Sequence, residues 1–315
     1  MTPDPTGVTP AGPAADPSSA TAAGDGVPSP AELEAIATQH GLRRVGHRPP
    51  FGEYLRELWG RRQFLWTLST AQAFAKTQES RLGQVWTILN PIMLAAAYYL
   101  IFGLLLDTRD GTDNYVGFLT AGIFTFVFLS TVMSSGARAV TGSMQLVRSL
   151  AFPRALLPIS KVLTELVAAA PTFVVLLVIM LVTGERPSWE WLMFPVALLL
   201  IGSMSMGIGL ILARVVHDSR DAANFIPLLI RLLRYVSGVF YSVEHYLGRM
   251  DAPQWLVLVM NYQPVAVMLR LVRESLMAEA PLDPTTWLVA LGWAVALPMF
   301  GLLFFWRGEG TYGRG

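Results

Sequence analysis

The chain has 315 residues, 53% of them hydrophobic and only 14% charged, with a net charge of +1 and a mean hydropathy of +0.48. Soluble domains carry about 25% charged residues, so the composition excludes an ordinary soluble domain and indicates a membrane protein. Zero cysteine excludes a disulfide scaffold, a thiolate nucleophile and a cysteine-held zinc or iron–sulfur site, and four scattered histidines argue against a metal enzyme.

Residues 1–50 are rich in Pro, Ala, Gly, Ser and Thr, which predicts a disordered cytoplasmic tail. No basic stretch leads into an apolar run in the first thirty residues, so a secretory signal peptide is not expected. Over 51–81 the residues Phe51, Tyr54, Leu58, Trp59, Phe64 and Trp66 interleave with Arg56, Arg61, Arg62, Lys76 and Arg81. Aromatic residues on one helical face and arginines on another suit an amphipathic helix lying in the headgroup region, with Tyr54, Trp59, Arg61, Arg62 and Trp66 as its anchors. A soluble helix packed on a partner would show the same pattern.

A transmembrane helix needs about 20 apolar residues to cross a hydrocarbon core of about 30 Å. Charge-free runs at 82–106, 114–137, 166–184, 191–213 and 284–306 meet that length, and a sixth begins at Ala222, is interrupted by Arg231 and Arg234, and resumes over 235–243. The run 252–269 contains Pro253, Asn261, Gln263 and Pro264 and reads as a pair of short re-entrant helices sheltered by protein. The expectation is an all-α integral membrane protein: a six-span transmembrane domain over 82–307, re-entrant helices between spans five and six, and a short cytoplasmic tail at 308–315. With the amino terminus inside, this arrangement puts most arginines on the cytoplasmic side, as the positive-inside rule requires, and leaves both termini there. Of the 23 basic residues only Lys76 and Lys161 are lysines, and none form a basic face suited to nucleic acid.

No G-x-x-x-x-G-K-[ST] loop is present, and no Ser/His/Asp set, HExxH or G-x-S-x-G pattern. No catalytic residue, metal site or cofactor is therefore assigned to this chain. If it moves a solute against a gradient, the energy enters from a partner. The connection between the second and third spans, 143–158, reads as a short amphipathic helix, a sharp stop at Phe152-Pro153, and a second start near Pro158, a residue tolerated in a first helical turn. The fourth span carries Gly202, Ser203, Met204, Ser205, Met206, Gly207 and Gly209, a run of small residues suited to close helix packing. His217 with Asp218, and Glu244 with His245, lack a third ligand and receive no role.

Arg81-Leu82-Gly83-Gln84-Val85-Trp86 leading to Asn90-Pro91, then Leu146-Val147-Arg148 through Phe152-Pro153-Arg154 to Pro158, resembles the permease subunit of the type-2 ATP-binding-cassette polysaccharide exporters. Arg220-Asp221, Ser237-Gly238-Val239-Phe240-Tyr241 and Asn261-Tyr262-Gln263-Pro264 extend the resemblance over about residues 50 to 307. The resemblance implies a bacterial inner-membrane protein working as a homodimer with two copies of a nucleotide-binding ATPase, which would bind ATP and magnesium. It implies a lipid-linked polysaccharide as substrate, with cell-wall galactan, O-antigen and teichoic acid exporters as the nearest-looking members. It also implies a coupling helix that docks on the ATPase through Gln145, Leu146, Arg148, Phe152, Pro153 and Arg154. Many relatives have proline where Gly238 stands, and the glycine predicts a softer bend there.

Arg231 and Arg234 lie about 15 and 20 Å along a helix starting near Asp221, at 1.5 Å per residue. A charge near mid-membrane costs at least about 2.5–3.5 kcal/mol, so both should face the protein interior or a water-filled path. One reading has them receive anionic groups of the substrate, such as the pyrophosphate of a lipid-linked glycan. The other pairs them structurally with Glu165 or with helix carbonyls. Around the same path lie Tyr98, Tyr99, Phe102, Phe124, Phe126, Phe128, Tyr235, Phe240 and Tyr241, as sugar-stacking faces or as packing. Two other functions fit parts of the pattern: a drug or lipid exporter permease of the same superfamily, and a membrane-embedded glycosyl- or acyltransferase. The second lacks an acidic or histidine cluster to act as base or to hold a metal.

Overall fold

The computed structural model describes residues 36, 39, 50–78, 83–105, 112–145, 152–243, 253–310 and 312. The expectation of a disordered tail over 1–50 lies outside them, except at Ile36 and Gln39, which are helical, and Pro50. The chain divides into two units, Met1–His47 and Arg48–Gly315, and everything below concerns the second.

Every described secondary-structure element is a helix: α1 (Phe51–Gly60), α2 (Arg62–Gln78), α3 (Gly83–Tyr98) running into a π-helical turn (Tyr99–Leu105), α4 (Tyr115–Ala137), α5 (Leu156–Val182), α6 (Phe194–Asp218), α7 (Ala222–Val236), α8 (Gln254–Tyr262), α9 (Pro264–Leu276) and α10 (Pro284–Arg307). Short 3₁₀ turns precede α5 and α6. Capping is visible at two starts. The Asn114 side chain accepts from Gly117 N–H at 2.9 Å ahead of α4, and Asp283 accepts from the N–H groups of Thr285 and Thr286 at 3.0 and 3.1 Å ahead of α10. A hydrogen bond from the Thr286 hydroxyl, above all, holds the Asp283 carboxyl below the usual carboxylate range.

Five segments are long and apolar enough to cross a membrane: Ile88–Leu105, Tyr115–Ala137, Leu156–Val182, Trp189–Asp218 and Pro284–Arg307. The pair α8 and α9, bent by 68° at Gln263, passes the same test taken together. The all-helical membrane class is as expected, but the span beginning at Ala222 differs. It stops after 15 residues at Val236, about 22 Å of helix, and 237–242 form a turn. The reason is Gly238, whose φ of +71° is a left-handed conformation that proline, locked near −65°, cannot adopt. Gly238 therefore ends the helix outright rather than softening a bend.

α4 is the central helix. Seventeen of its residues are buried, because neighbours cover it on nearly every side. Phe124, Phe126 and Phe128 all belong to this core, so their rings are packing. α6 and α10 lie closest together, with the Gly207 backbone against Leu297 and Pro298 and the Ser203 hydroxyl donating to Ala294 O at 2.6 Å. The small-residue run of the fourth span serves close approach, as its sequence indicates.

The amphipathic segment is two helices separated at Arg61, where one N–H reaches back to three carbonyls, those of Glu57, Leu58 and Trp59. Its two faces divide the two sequence readings between them. Trp59 and Trp66 are 72% and 58% exposed, while Tyr54, Leu58, Leu65 and Ser69 are buried. On the buried side a polar seam joins α2 to α5: Ser69 Oγ donates to Ser160 O (3.2 Å), Thr164 Oγ1 to Ser69 O (3.3 Å), Lys161 Nζ to Gln72 Oε1 (3.1 Å), and Lys76 pairs with Glu165 at 2.7 Å.

Candidate functional site

Two regions collect the residues singled out above. The first lies where α3 and its π-helical continuation meet α7 and the turn that follows. Phe240 is its hub, fully buried, stacked on Phe102 (4.7 Å between centroids, 2° between planes) and tilted against Tyr98 (4.4 Å) and Tyr235 (5.7 Å). Tyr115 Oη donates to Phe240 O, and Tyr241 Oη to Tyr235 O, both at 2.9 Å. Arg234 donates from Nη1 to Tyr98 Oη at 3.2 Å and lies 5.2 Å from the centroid of the Phe126 ring. The structure thus brings Tyr98, Phe102, Arg234, Tyr235, Phe240 and Tyr241 into one cluster. Tyr99 sits at its edge, 6.3 Å from Tyr115.

Arg231 is not in that cluster. It is exposed on α7 beside Phe225, Leu228, Leu232 and Tyr235, all uncovered, a stripe with the 3–4 spacing of one helix face. Pairing of Arg231 or Arg234 with Glu165 does not occur, because Glu165 holds Lys76. Arg234 instead uses a phenol and a ring face.

The second region is the end of the molecule carrying the loop before α5. Leu146 and Arg148 lie outside the described residues. Gln145 is exposed, Phe152 is half-buried and packs with Ala139 and Leu157, and Pro153 is buried. Arg154 turns inward: its N–H donates to Glu309 Oε1 at 3.0 Å and its guanidinium to Glu309 O. Tyr54 completes the junction, donating from Oη to Glu309 Oε2 at 2.8 Å while accepting from Ala155 N–H at 3.1 Å. Burial pushes the Glu309 carboxyl up, against the Arg154 N–H, the Tyr54 hydroxyl and the Arg154 charge, which pull it down. Burial also pushes the phenol of Tyr54 well up, and so does the nearby Glu309 charge. Tyr312, fully buried, donates to Phe305 O at 2.9 Å and stacks on Phe305 at 4.5 Å. Arg62 and Arg61 stay local, Arg62 over Trp59 at 5.5 Å and Arg61 on Glu57 at 3.1 Å.

Arg273, which the sequence does not single out, is 7% exposed and central to the turn after α7. It donates to Gly238 O and Val239 O at 3.0 Å each and to Phe118 O at 3.4 Å, with its guanidinium 3.4 Å from the Phe118 ring centroid. A Cβ on Gly122 would lie 2.6 Å from Nη2 and 2.9 Å from Val239 O, so only glycine lets the guanidinium through. No local pattern marks it, because α9 carries Arg270, Arg273 and Glu274 and reads as an amphipathic helix, whereas in the fold every residue from Val265 to Leu276 except Arg270 is buried, so its charges must find partners.

A model of the ABC-2 type transporter family matches residues 63–277. The O-antigen export system permease protein RfbA of Myxococcus xanthus is 28% identical over 190 residues, 60% of this chain and 72% of that protein. The protein of the same name in Klebsiella pneumoniae is 28% identical over 202 residues, 64% of this chain and 74% of that protein. The polysialic acid transport protein KpsM of Escherichia coli is 24% identical over 200 residues, 62% and 74% of the two chains.

Proposed function

The chain belongs to the ABC-2 type transporter membrane family, and from that premise we propose that it is the permease subunit of a polysaccharide exporter of the bacterial inner membrane. Its cargo is a polyprenyl-pyrophosphate-linked glycan of the cell-wall galactan or O-antigen kind, moved outward from the cytoplasmic side. The substrate class rests on the names of its relatives. ATP is hydrolysed by a separate nucleotide-binding subunit, two copies of which serve two copies of this chain, with both termini of each permease cytoplasmic.

The observation that carries this reading is the uncovered α7 stripe with Arg231 in its middle. Lipid would not tolerate an arginine there, at a cost of at least about 2.5–3.5 kcal/mol. A second permease across a water-filled path would. Such a path would be walled by the α7 stripe and the tyrosines of the α3–α7 cluster, with Arg231 and Arg234 meeting the pyrophosphate and aromatic faces offering weak, repeated contacts to sugar rings.

The test is ATPase activity of the chain co-purified with its nucleotide-binding subunit, with and without lipid-linked glycan, beside surface-glycan labelling in cells. Glycan should change turnover, and Arg231→Gln with Arg234→Gln should abolish surface glycan in a protein that still assembles. Docking is tested at Gln145 and Arg148, since the Arg154 guanidinium is engaged by Glu309 O. Retained export in the double arginine variant, or turnover indifferent to glycan, would sink the proposal.

A further inference from the structure

The outer face of α1 and α2 changes character along its length. Tyr54, Leu58, Leu65, Ser69 and Ala73 are buried, at the spacing of one helix side. On the other side Arg56, Trp59, Gln63, Trp66, Ala71 and Phe74 are exposed. The first stretch of that face is cationic. Arg56 and Arg62, both exposed, flank Trp59 three positions to either side. The Arg62 guanidinium lies 5.5 Å from the Trp59 ring centroid and donates to Trp59 O at 3.2 Å, and Arg56 makes no hydrogen bond or ion pair among the described residues. Of the two acids on α1, Glu57 pairs with Arg61 at 3.1 Å, which leaves Glu53. Beyond Arg62 the chain carries no charge until Lys76.

The seam with α5 fixes which way this gradient points. Ser69 meets Ser160, Gln72 meets Lys161 and Lys76 meets Glu165, so residue numbers rise together on the two helices. α2 therefore runs alongside α5 away from its start at Leu156 and into a segment long and apolar enough to cross a membrane. Trp59 and its two arginines lie toward the start of that segment, and Trp66, Ala71 and Phe74 lie progressively deeper. Phosphate, interface and hydrocarbon follow one another in the same order across a lipid monolayer. The two arginines against Glu53 leave a surplus of positive charge, and a guanidinium fork matches phosphate oxygens. A zwitterionic lipid would bring its own cation to that surplus, whereas an anionic one would not.

We propose that the outer face of α1 and α2 is a docking surface selective for anionic phospholipid. The phosphodiester is held between Arg56 and Arg62 beside the Trp59 ring, and the acyl chains run along Trp66, Ala71 and Phe74. The selectivity stands on these two helices and their seam with α5, and holds whatever cargo the chain carries.

The chain holds no cysteine, so a single one can carry a local probe. Gln63→Cys, labelled with an environment-sensitive dye in the full chain in detergent micelles, is titrated with short-chain phosphatidylglycerol and with phosphatidylcholine. Phosphatidylglycerol should bind about tenfold more tightly, and Arg56→Gln or Arg62→Gln should each weaken it about fivefold, the factor for one basic residue at an anionic lipid surface. Binding of phosphatidylcholine should not change. Arg56 has no hydrogen bond to lose, so Arg56→Gln keeps the fold and decides the question even if Arg62→Gln does not fold. Equal binding of the two lipids, or phosphatidylglycerol binding unchanged in Arg56→Gln, overturns the proposal. Ala71→Cys tests the depth in membranes that contain this chain without a nucleotide-binding subunit. It should resist a water-soluble maleimide and react with an apolar one; rapid reaction with the water-soluble reagent would mean that the face awaits a protein partner, and would overturn the proposal equally.

Discussion

Replacing Arg273 with methionine keeps most of the side chain's volume and removes its fork of donors. Three carbonyls, those of Phe118, Gly238 and Val239, then lose their partner, at about 1.5–3 kcal/mol for each bond to a charged donor. The Phe118 ring face contributes about 2 kcal/mol more where water is excluded, and the variant regains the several kcal/mol spent on desolvating a guanidinium. The net expectation is a loss of about 3–5 kcal/mol, the range found when one member of a buried charged network is removed. At about 2–4 °C per kcal/mol for a domain of some 150–250 residues, thermal unfolding of the solubilised protein should move down by about 10 °C. A shift below about 2 °C would refute the reasoning, since water would then be satisfying those carbonyls. Gly122→Ala supplies an independent check. Its new methyl would meet the guanidinium and the Val239 carbonyl, so Gly122→Ala should cost less in the Arg273→Met background, with a coupling above about 0.5 kcal/mol; strict additivity would count against the contact.

Glu309 predicts a pH dependence. Its folded pKa is raised, first by burial, so its contribution to stability is full below the unfolded value of 4.5 and is lost as pH rises through the folded one; melting curves of wild type should fall across that window while Glu309→Gln removes the slope. Gly238→Ala should lose about 1–3 kcal/mol by placing a Cβ at φ +71° and 2.6 Å from Val243 Cγ2, read by thermal unfolding, whereas Gly238→Asn should lose less because asparagine tolerates that conformation. Lys76→Met leaves Glu165, 7% exposed, without its cation; a Lys76→Met, Glu165→Gln pair should melt higher than Lys76→Met alone, and the reverse order would argue against the ion pair.

The spans were legible because twenty-residue apolar runs have one physical use, and the helix start near Pro158 because proline is tolerated in a first turn. The aromatic cluster was legible as a set of residues, though its hub was not: nothing local marks Phe240 as buried and Tyr235 as exposed. Tyr54 and Trp59 read alike as interfacial anchors, yet one is 1% and the other 72% exposed. What separates them is Glu309, 255 positions away. Arg270 and Arg273 likewise look equivalent, and only Gly122 and the carbonyls after α7, brought in from distant segments, distinguish them. The end of the apolar run that begins at Ala222 was misplaced because hydropathy continues past Val236 while the helix does not.

The junction at Glu309 bears on how force could travel. One carboxylate and its carbonyl bind the first amphipathic helix through Tyr54 and the loop before α5 through Arg154, and they follow directly on the last long helix, whose Trp306 ring meets Phe51 at 5.2 Å. These three parts form a stiff linkage with little slack, so a thrust delivered at Phe152–Arg154 would not be absorbed locally. It would tilt α1 and draw on the base of α10 in the same stroke, and a substitution at Tyr54 would work like a loosened hinge pin, leaving each part intact while the motion between them is lost.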